Sequence, residues 1–332
     1  MNRLSVIIPT RNRADLLQLA LLSLQTQTLP ADQFEILVID NGSTDNTKQV
    51  IKSFQQQLAN IRYFFDPIPG LHVGRHYGLR EAKGDVLVYA DDDIEAMPGW
   101  LSAIADCFAD PDVAMVGGNN LPKYTTPPPD WLLTLWEKPS LGGRAIPALS
   151  VLELNEGRRE FDPRYIWGCN FSIRKSVLQD AGGFHPDAMP QDLIRFRGDG
   201  ETHVSNYVRN SGLKTLFDSK ASVYHQVSAE RMTKEYFCRR YFAQGISDSY
   251  TEIRSQGSIS GKKKRVQHVF RSVKSRLRYV KQLVLSPGPL ELELSNILHA
   301  SQQAYWQGYR YHNNEVSVDS ALFEWVLREH YW

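Results

Sequence analysis

The chain has 332 residues, of which 42% are hydrophobic, so it can build one large or two modest folded domains. Its formal net charge is only +1, which removes any whole-chain electrostatic reason to expect a nucleic-acid partner. The charge is uneven, because residues 262–281 hold nine Lys and Arg residues and no acidic residue. A local basic segment on a mildly acidic body concerns the partners of the protein rather than its fold.

The first hundred residues alternate between strand-like and helix-like segments. Short apolar runs predict strands at 4–8, 35–40, 61–65 and 86–90, and helical spacing of apolar residues predicts helices within 13–27, 44–58 and 73–83. This alternation predicts an α/β fold with a mostly parallel sheet that is covered by helices on both faces.

The remainder of the chain is less regular. Residues 119–166 contain three consecutive prolines, and we expect a long excursion over a ligand crevice. A strand at 167–173, helices starting at 175 and spanning 201–210, and strands near 214–217 and 221–225 follow. The last hundred residues are predicted to be helical.

Polar clusters follow three of the predicted strands directly. They read Pro-Thr-Arg-Asn-Arg at 9–13, Asp-Asn-Gly-Ser-Thr-Asp at 40–45 and Asp-Asp-Asp at 91–93. In open α/β sheets, ligands bind beyond the carboxyl ends of the strands. The three clusters therefore predict one crevice.

The three consecutive carboxylates Asp91, Asp92 and Asp93 predict a metal site. Closely spaced carboxylates repel one another unless a cation lies among them, and oxygen ligands suit Mg²⁺ or Mn²⁺. Such a metal neutralises a leaving diphosphate. The alternative is a solvated acidic turn, which the position at a strand end disfavours.

Other groups at the same edge are suited to a nucleotide. Asp40 ends a strand and can accept a hydrogen bond from a base or ribose, although the residues after it also fit a turn that caps a helix. Arg13 and Arg75 offer planar, multidentate donors for a base or for phosphates.

Taken in order, these segments resemble a known family. SVIIPTRNR, VIDNGSTD, GLHVGRHYGLREAKGDVLVYADDD, GCNFSIRKSVLQDAGGF and GDGETHVSNYVRNSGLKTLFDSKASVYH are similar to the motifs of family-2 glycosyltransferases, over roughly residues 4–226. The resemblance implies the GT-A fold, Rossmann-like with a helical C-terminal region, and inversion at the anomeric carbon. It also implies a UDP-sugar donor and a saccharide or lipid-linked acceptor.

The resemblance also implies roles for individual residues. The predicted nucleotide-binding residues are Pro9, Thr10, Arg13, Asp40, Arg75, Asp91 and Asp92. The predicted metal ligands are Asp93, Asp91 and His225, where the alternative for the histidine is an ordinary buried strand end. Gly168 and Asn170 are expected to shape the sugar and acceptor pocket together with Trp167. Stacking of Trp167, Trp131 or Trp136 on a sugar face competes with a packing role in the core.

A single-displacement inversion needs a carboxylate that deprotonates the acceptor hydroxyl. Relatives carry an acidic pair and a further acid two residues later, whereas this chain has Gly198 and Asp199 followed by Glu201. We predict Asp199 as the base and Glu201 as the later acid. Capping of the following helix is the alternative role for both carboxylates.

The C-terminal part has two readings. An apolar stripe through 266–284, flanked by basic residues, fits an interfacial helix on an anionic membrane or a helix packed on the catalytic domain. The three cysteines are far apart and no apolar run spans a bilayer, so we expect a cytoplasmic protein, free or peripheral on the membrane.

The sequence thus predicts two parts and one leading function. Residues 1–227 are expected to form the glycosyltransferase domain, with a nucleotide-sugar half at 1–120 and an acceptor half at 121–227, and 228–332 a helical extension. A nucleotidyltransferase is the first alternative, although it normally has a glycine-rich phosphate loop. A non-catalytic nucleotide-sugar-binding module is the second.

Overall fold

The structure is a computed structural model that describes residues 3–259 and 288–331. Its helices are α1 (Ala14–Gln25), α2 (Thr47–Gln55), α3 (Leu71–Glu81), α4 (Trp100–Cys107), α5 (Asp130–Trp136), α6 (Lys175–Asp180), α7 (Glu201–Asn210), α8 (Lys234–Gln256), α9 (Pro289–Val318) and α10 (Ser320–Leu327). Its strands are β1 (Leu4–Thr10), β2 (Phe34–Asp40), β3 (Ile61–Phe65), β4 (Val86–Ala90), β5 (Ile94–Ala96), β6 (Val113–Gly117), β7 (Asn120–Tyr124), β8 (Pro139–Ser140), β9 (Gly143–Ile146), β10 (Val151–Glu153), β11 (Arg158–Glu160), β12 (Asn170–Arg174), β13 (Lys214–Asp218) and β14 (Val223–Val227).

An eight-stranded sheet forms the centre of the molecule, in the order β11-β13-β6-β12-β4-β1-β2-β3. Strands β3, β2, β1 and β4 run parallel, whereas β12 is antiparallel to both of its neighbours, β4 and β6. The predicted α/β fold with a mostly parallel sheet is confirmed. The parallel half places the ends of β1, β2 and β4 at one edge.

Both faces of the central strands are covered, as continuous apolar runs require. All seven residues of β1 are buried, and alternate side chains enter different cores. Val6 and Ile8 pack in one cluster with Leu17 of α1, whereas Ile7 packs in the other with Leu79 of α3. These two cores fix the register of β1, and therefore the position of the polar residues that follow it.

The segment 119–166 is not the irregular excursion predicted from its prolines. It carries β7, α5 and β8 to β11, and four of these strands belong to a second sheet in the order β5-β14-β7-β10-β9-β8. The prolines at 127–129 lie between β7 and α5, and Pro129 has the extended backbone of a helix N-cap. The expectation was wrong because several of these strands are only two to four residues long, too short to show a period.

The C-terminal helices pack closely on one another. A β-carbon added at Gly245 of α8 would lie 2.0 Å from the carbonyl oxygen of Tyr305, and one added at Gly308 of α9 would lie 2.0 Å from that of Phe242. Glycine at both positions therefore lets the two backbones approach directly. The basic run at 262–281 and the stripe at 266–284 lie outside the described residues. Within those residues, no helix has the length and apolar character needed to cross a bilayer.

Candidate active site at the sheet edge

A crevice of about 360 Å³ opens at the carboxyl ends of β1 and β4. It is lined by residues at the ends of these strands, in the loop that precedes α7 and at the start of α8. Its lining includes Pro9, Thr10, Arg11, Arg13, Asn41, Arg75, Asp91, Asp92, Asp93, Gly168, Asp187, Arg197, Glu201, His225, Arg231, Tyr236 and Arg240. The structure therefore brings ten of the predicted site residues to one place.

The acidic triplet lies in the tight turn between β4 and β5, and each of its carboxylates faces a donor. Thr10 Oγ1 donates to Asp92 at 2.7 Å, and Arg13 donates to Asp92 at 2.6 Å and to Asp93 at 2.8 Å. Asp91 lies 3.6 Å from a nitrogen of Arg75. Asp92 and Asp93 are buried, and the triplet is held by residues of β1, of the start of α1 and of α3, so it is not a solvated turn.

The pKa values of Asp92 and Asp93, the two buried carboxylates of the triplet, are shifted in opposite directions. Burial raises the pKa of Asp92 to about 7, against the opposing effect of Arg13. Burial also raises the pKa of Asp93, but His225, Arg13 and Arg231 outweigh it and hold that pKa below the usual value. The surroundings therefore favour the ionised form more strongly at Asp93 than at Asp92.

Asp91, Asp93 and His225 offer ligand atoms that all lie within 4.8 Å of one another. His225 is on β14 opposite Ile94, and its Nε2 lies 3.2 Å from Asp93 Oδ1. Two carboxylates and an imidazole suit a small divalent cation such as Mn²⁺. The residues therefore fit the metal that the sequence predicts, and the second sheet supplies the histidine.

In the same crevice, Glu201 is held by two donors. Arg75 Nη1 donates to Glu201 Oε2 at 3.3 Å, and the amide of Gly168 donates to Oε1 at 3.3 Å. A β-carbon at Gly168 would lie 2.2 Å from Arg75, so the glycine leaves room for the guanidinium. Glu201 is also the first residue of α7, where the helix dipole favours a negative charge.

Asp199 is not among the residues that line the crevice. Its two oxygens are bonded to His185 Nδ1 and to Thr251 Oγ1, each at 2.6 Å, and it is 7% exposed. Thr251 belongs to α8, so Asp199 joins the α7 loop to the C-terminal helices. Of the two carboxylates, the structure places Glu201 at the crevice and Asp199 in a buried hydrogen-bond network.

Other predicted residues also lie away from the crevice lining. Asp40 is 1% exposed and accepts from Ser43 N at 2.7 Å and Tyr63 OH at 3.0 Å, while its neighbour Asn41 lines the crevice. Asn170 is 2% exposed and accepts from Trp100 Nε1 at 2.9 Å. These side chains have their partners within the protein.

The tryptophans have packing roles. Trp167 packs against two core clusters, and Trp131 and Trp136 are buried in the cluster that joins α5, α8 and α9. None of the three is among the residues that line the crevice in the described part of the chain. Of the two roles left open by the sequence, packing is the one that the structure shows.

Four functional candidates were missed by the sequence reading. Asp187 and Arg197 lie in the loop before α7, where they form an ion pair with an N···O distance of 2.5 Å. Arg231 and Arg240 come from the α8 region, and Arg231 lies 3.2 Å from Asp93. Arg231 is the one of these four that the sequence could have indicated, because it lies only six residues after His225. The other three reach the crevice through tertiary packing, which short motifs do not show.

The central sheet flanked by helices is the GT-A fold of known glycosyltransferases. A mannosyltransferase from Pyrobaculum calidifontis, solved with GDP-Man and Mn²⁺, has this fold and superposes with a TM-score of 0.54 at 18% identity, over 98% of this chain and 86% of that one. At that identity the likeness concerns the fold alone.

The family follows from the sequence comparison. The model described as glycosyl transferase family 2 matches residues 5–182, and the chain belongs to that family. Glycosyltransferase AglE of Haloferax volcanii is 27% identical over 64% of this chain and 63% of its own length. A Campylobacter jejuni GalNAc(5)-diNAcBac-PP-undecaprenol beta-1,3-glucosyltransferase is 38% identical over 31% of this chain and 34% of its own. The chain thus spans less than two thirds of these relatives.

Proposed function

We propose that the protein is a metal-dependent inverting glycosyltransferase that moves a sugar from a nucleotide-sugar donor to a saccharide acceptor. The observation that supports this most directly is the pairing of two groups across one crevice. The cluster of Asp91, Asp93 and His225 is suited to a divalent cation, and Glu201 faces it from the start of α7. Membership of the glycosyltransferase family supports sugar transfer as the reaction at this crevice.

On the donor side, Asp91, Asp93 and His225 would hold Mn²⁺ or Mg²⁺. When bound, the cation supplies positive charge that stabilises the leaving diphosphate. Arg13 and Arg231, which both reach Asp93, stand beside that position and can donate to phosphate oxygens. Thr10 and Asn41 line the same side, where the nucleotide is expected.

On the acceptor side, Glu201 is the proposed general base, a role that passes to it from Asp199. Its carboxylate would take the proton of the acceptor hydroxyl as the acceptor oxygen bonds to the anomeric carbon. The bond from that carbon to the diphosphate oxygen breaks, and its electron pair leaves with the nucleoside diphosphate. Arg75 and the Gly168 amide orient the carboxylate for this step.

The substrates follow from resemblance and from the relatives' names. UDP is the proposed nucleotide because of the family-2 motifs. The name of the Campylobacter relative specifies an undecaprenol-linked saccharide, which supports a lipid-linked acceptor as one form of the saccharide. Such an acceptor suits a protein at the cytoplasmic face of a membrane, and sedimentation with anionic liposomes tests that location.

Donor hydrolysis gives the direct test. Purified protein is mixed with a panel of UDP- and GDP-sugars, with Mn²⁺, with Mg²⁺ and with EDTA, and release of the nucleoside diphosphate is measured. We expect slow, metal-dependent release from one donor or a small set of donors. Metal-dependent nucleotide binding without release, even with saccharides added, would instead favour a non-catalytic binding module. Formation of a nucleoside triphosphate and a sugar 1-phosphate when pyrophosphate is added to the same donors would favour a nucleotidyltransferase.

A further inference from the structure

The arginines of the crevice are unevenly paired with carboxylates. Arg13, Arg75, Arg197 and Arg231 each form an ion pair with an acidic residue of the crevice. Within residues 3–259 and 288–331, the two remaining arginines of the lining, Arg11 and Arg240, form none. Arg11 follows β1, whereas Arg240 lies on α8 and near Asp187.

Arg240 lines the same crevice as the proposed base, and its neighbour there is Asp187. It is partly buried, and its charge helps to hold the pKa of Asp187 low, together with Arg197 and Arg75. A β-carbon at Gly200 would lie 2.8 Å from Asp187 Oδ2, so Asp187 adjoins the backbone that leads into Glu201. Arg240 therefore lies near the loop that leads into Glu201, and it forms no ion pair among the described residues.

The total charge of the crevice also points to an anionic ligand beyond the donor. Its lining holds six arginines and five carboxylates. A divalent cation and the diphosphate of a nucleotide sugar largely offset each other, so the donor complex keeps a cationic excess. A partly buried, unpaired charge is costly unless a ligand or water compensates it. On the acceptor side, this excess positive charge is that of Arg240.

Close packing holds α8 against its neighbours. Its backbone touches that of α9 at Gly245, and Thr251 bonds to Asp199. One turn before Arg240, the Tyr236 hydroxyl accepts from Arg231 Nε at 3.1 Å. The helix that carries Arg240 is thus fixed both to α9 and to the loop that leads into Glu201.

We infer that Arg240, with Arg197 beside it, binds a phosphate group of the acceptor close to the hydroxyl that is glycosylated. A guanidinium offers paired donors that match phosphate oxygens, and a phosphate would compensate the free charge of Arg240. This inference rests on the proposed function, because it takes Glu201 as the end of the acceptor path. It assigns the acceptor to the phosphorylated saccharides, either soluble sugar phosphates or saccharides on a lipid phosphate.

The test measures binding of acceptor probes to protein that is already loaded with UDP and Mn²⁺, so that the donor diphosphate position is filled. Calorimetric titrations compare glucose 1-phosphate with the neutral methyl glucoside, and octyl phosphate with octyl glucoside. We expect each phosphate to bind at least about tenfold more tightly than its neutral match, as a charge-assisted hydrogen bond implies. The tighter of the two phosphates identifies the soluble or the lipid source.

Two variants of adjacent arginines assign the effect. Arg240→Gln should remove the preference for phosphate, while Arg239→Gln, which alters an exposed arginine outside the crevice lining, should retain it. Both should bind UDP with Mn²⁺ as the wild type does. Equal binding of charged and neutral probes, an unchanged preference in Arg240→Gln, or displacement of UDP by the phosphates would overturn the inference. Failure of the wild type to bind any nucleotide with Mn²⁺ would instead overturn the proposed function.

Discussion

The two sides of the crevice are built in different ways. On the donor side, Thr10, Arg13 and Asp91 to Asp93 follow directly from parallel strands whose register is fixed by two buried cores. On the acceptor side, Glu201 follows a glycine with φ of 55° at the end of a long loop, and Arg240 comes from a helix near the C-terminus. The donor side is set by sheet topology and the acceptor side by tertiary packing.

This difference separates what local sequence determines from what it does not. Residues at the ends of neighbouring parallel strands come together when the sheet forms. Short sequence motifs therefore suffice to predict the residues of the donor side. Residues of the acceptor side meet only after α8 has packed against α9 and the α7 loop. The same difference predicts where substitutions act on catalysis and where they act on stability.

The largest expected effect is on the acceptor side. Glu201→Gln keeps the size of the side chain but removes the proposed base, so the rate of transfer should fall by about 10²–10⁴-fold. Binding of UDP with Mn²⁺ should stay close to that of the wild type, because the metal cluster is intact. Single-turnover transfer and calorimetric nucleotide binding measure the two quantities.

Asp199→Asn is the matched control for Glu201→Gln. It should lower stability by roughly 1–3 kcal/mol, since it disturbs the bonds to His185 and Thr251, but it should leave the rate of the folded fraction within about tenfold. A collapse of transfer in Asp199→Asn at unchanged stability, with Glu201→Gln active, would return the role of base to Asp199.

The next effect concerns the donor side. Asp93→Asn should weaken Mn²⁺ binding by at least about tenfold and raise the Mn²⁺ concentration needed for donor hydrolysis. Asp92→Asn is the isosteric control, because Asp92 is bonded to Thr10 and Arg13 and is not part of the three-residue cluster. Equal losses in both variants would mean that the triplet, rather than the cluster with His225, binds the metal.

The contact between the C-terminal helices should be sensitive to one methyl group. In Gly245→Ala, the new β-carbon meets the carbonyl of Tyr305, so the helices must separate and unfolding free energy should drop by roughly 1–3 kcal/mol. Gln307→Ala, at an exposed site on α9, should cause little change. Urea denaturation compares them, and an unaffected Gly245→Ala would show that the helices do not need this close approach.

The smallest effect tests a buried carboxylate in the donor half. Burial raises the pKa of Glu35, but the Lys83 amide, Ser5 and Arg62 outweigh it, so the pKa is lowered. A lowered pKa stabilises the fold above the unfolded pKa, near 4.3, and that contribution is lost as the pH falls through the folded pKa.

Glu35→Gln should therefore cost about 1 kcal/mol at pH 7 and less below about pH 4. Urea denaturation at both pH values measures the change, with Glu81→Gln as the control at the more exposed partner of Arg62. A cost that stays constant across this range would exclude the ionised carboxylate as its source.

The sequence predicted the parallel part of the central sheet well and the rest of the chain incompletely. The strands of the parallel part, the three polar strand ends and the GT-A fold were predicted, since buried strands show continuous apolar runs. The second sheet was missed because its strands are too short for a period, and yet it brings His225 to Asp93. The sequence favoured Asp199 over Glu201 as the base, but it could not show which of the two lines the crevice. That difference lies in the backbone of Gly200 and in the bonds that Asp199 makes to other elements.

The glycine contact between α8 and α9 bears on how this enzyme could be re-engineered. The family match ends at residue 182, before the helix that carries Arg240. An exchange of α8 and α9 as one cassette would keep their interlocked glycines together and would alter the acceptor wall while the donor machinery stays in place. The graft would have to retain a hydroxyl at position 251, since that group ties the cassette to Asp199. We expect such an exchange to change the acceptor preference, provided that the hydrogen bond from position 251 to Asp199 is kept.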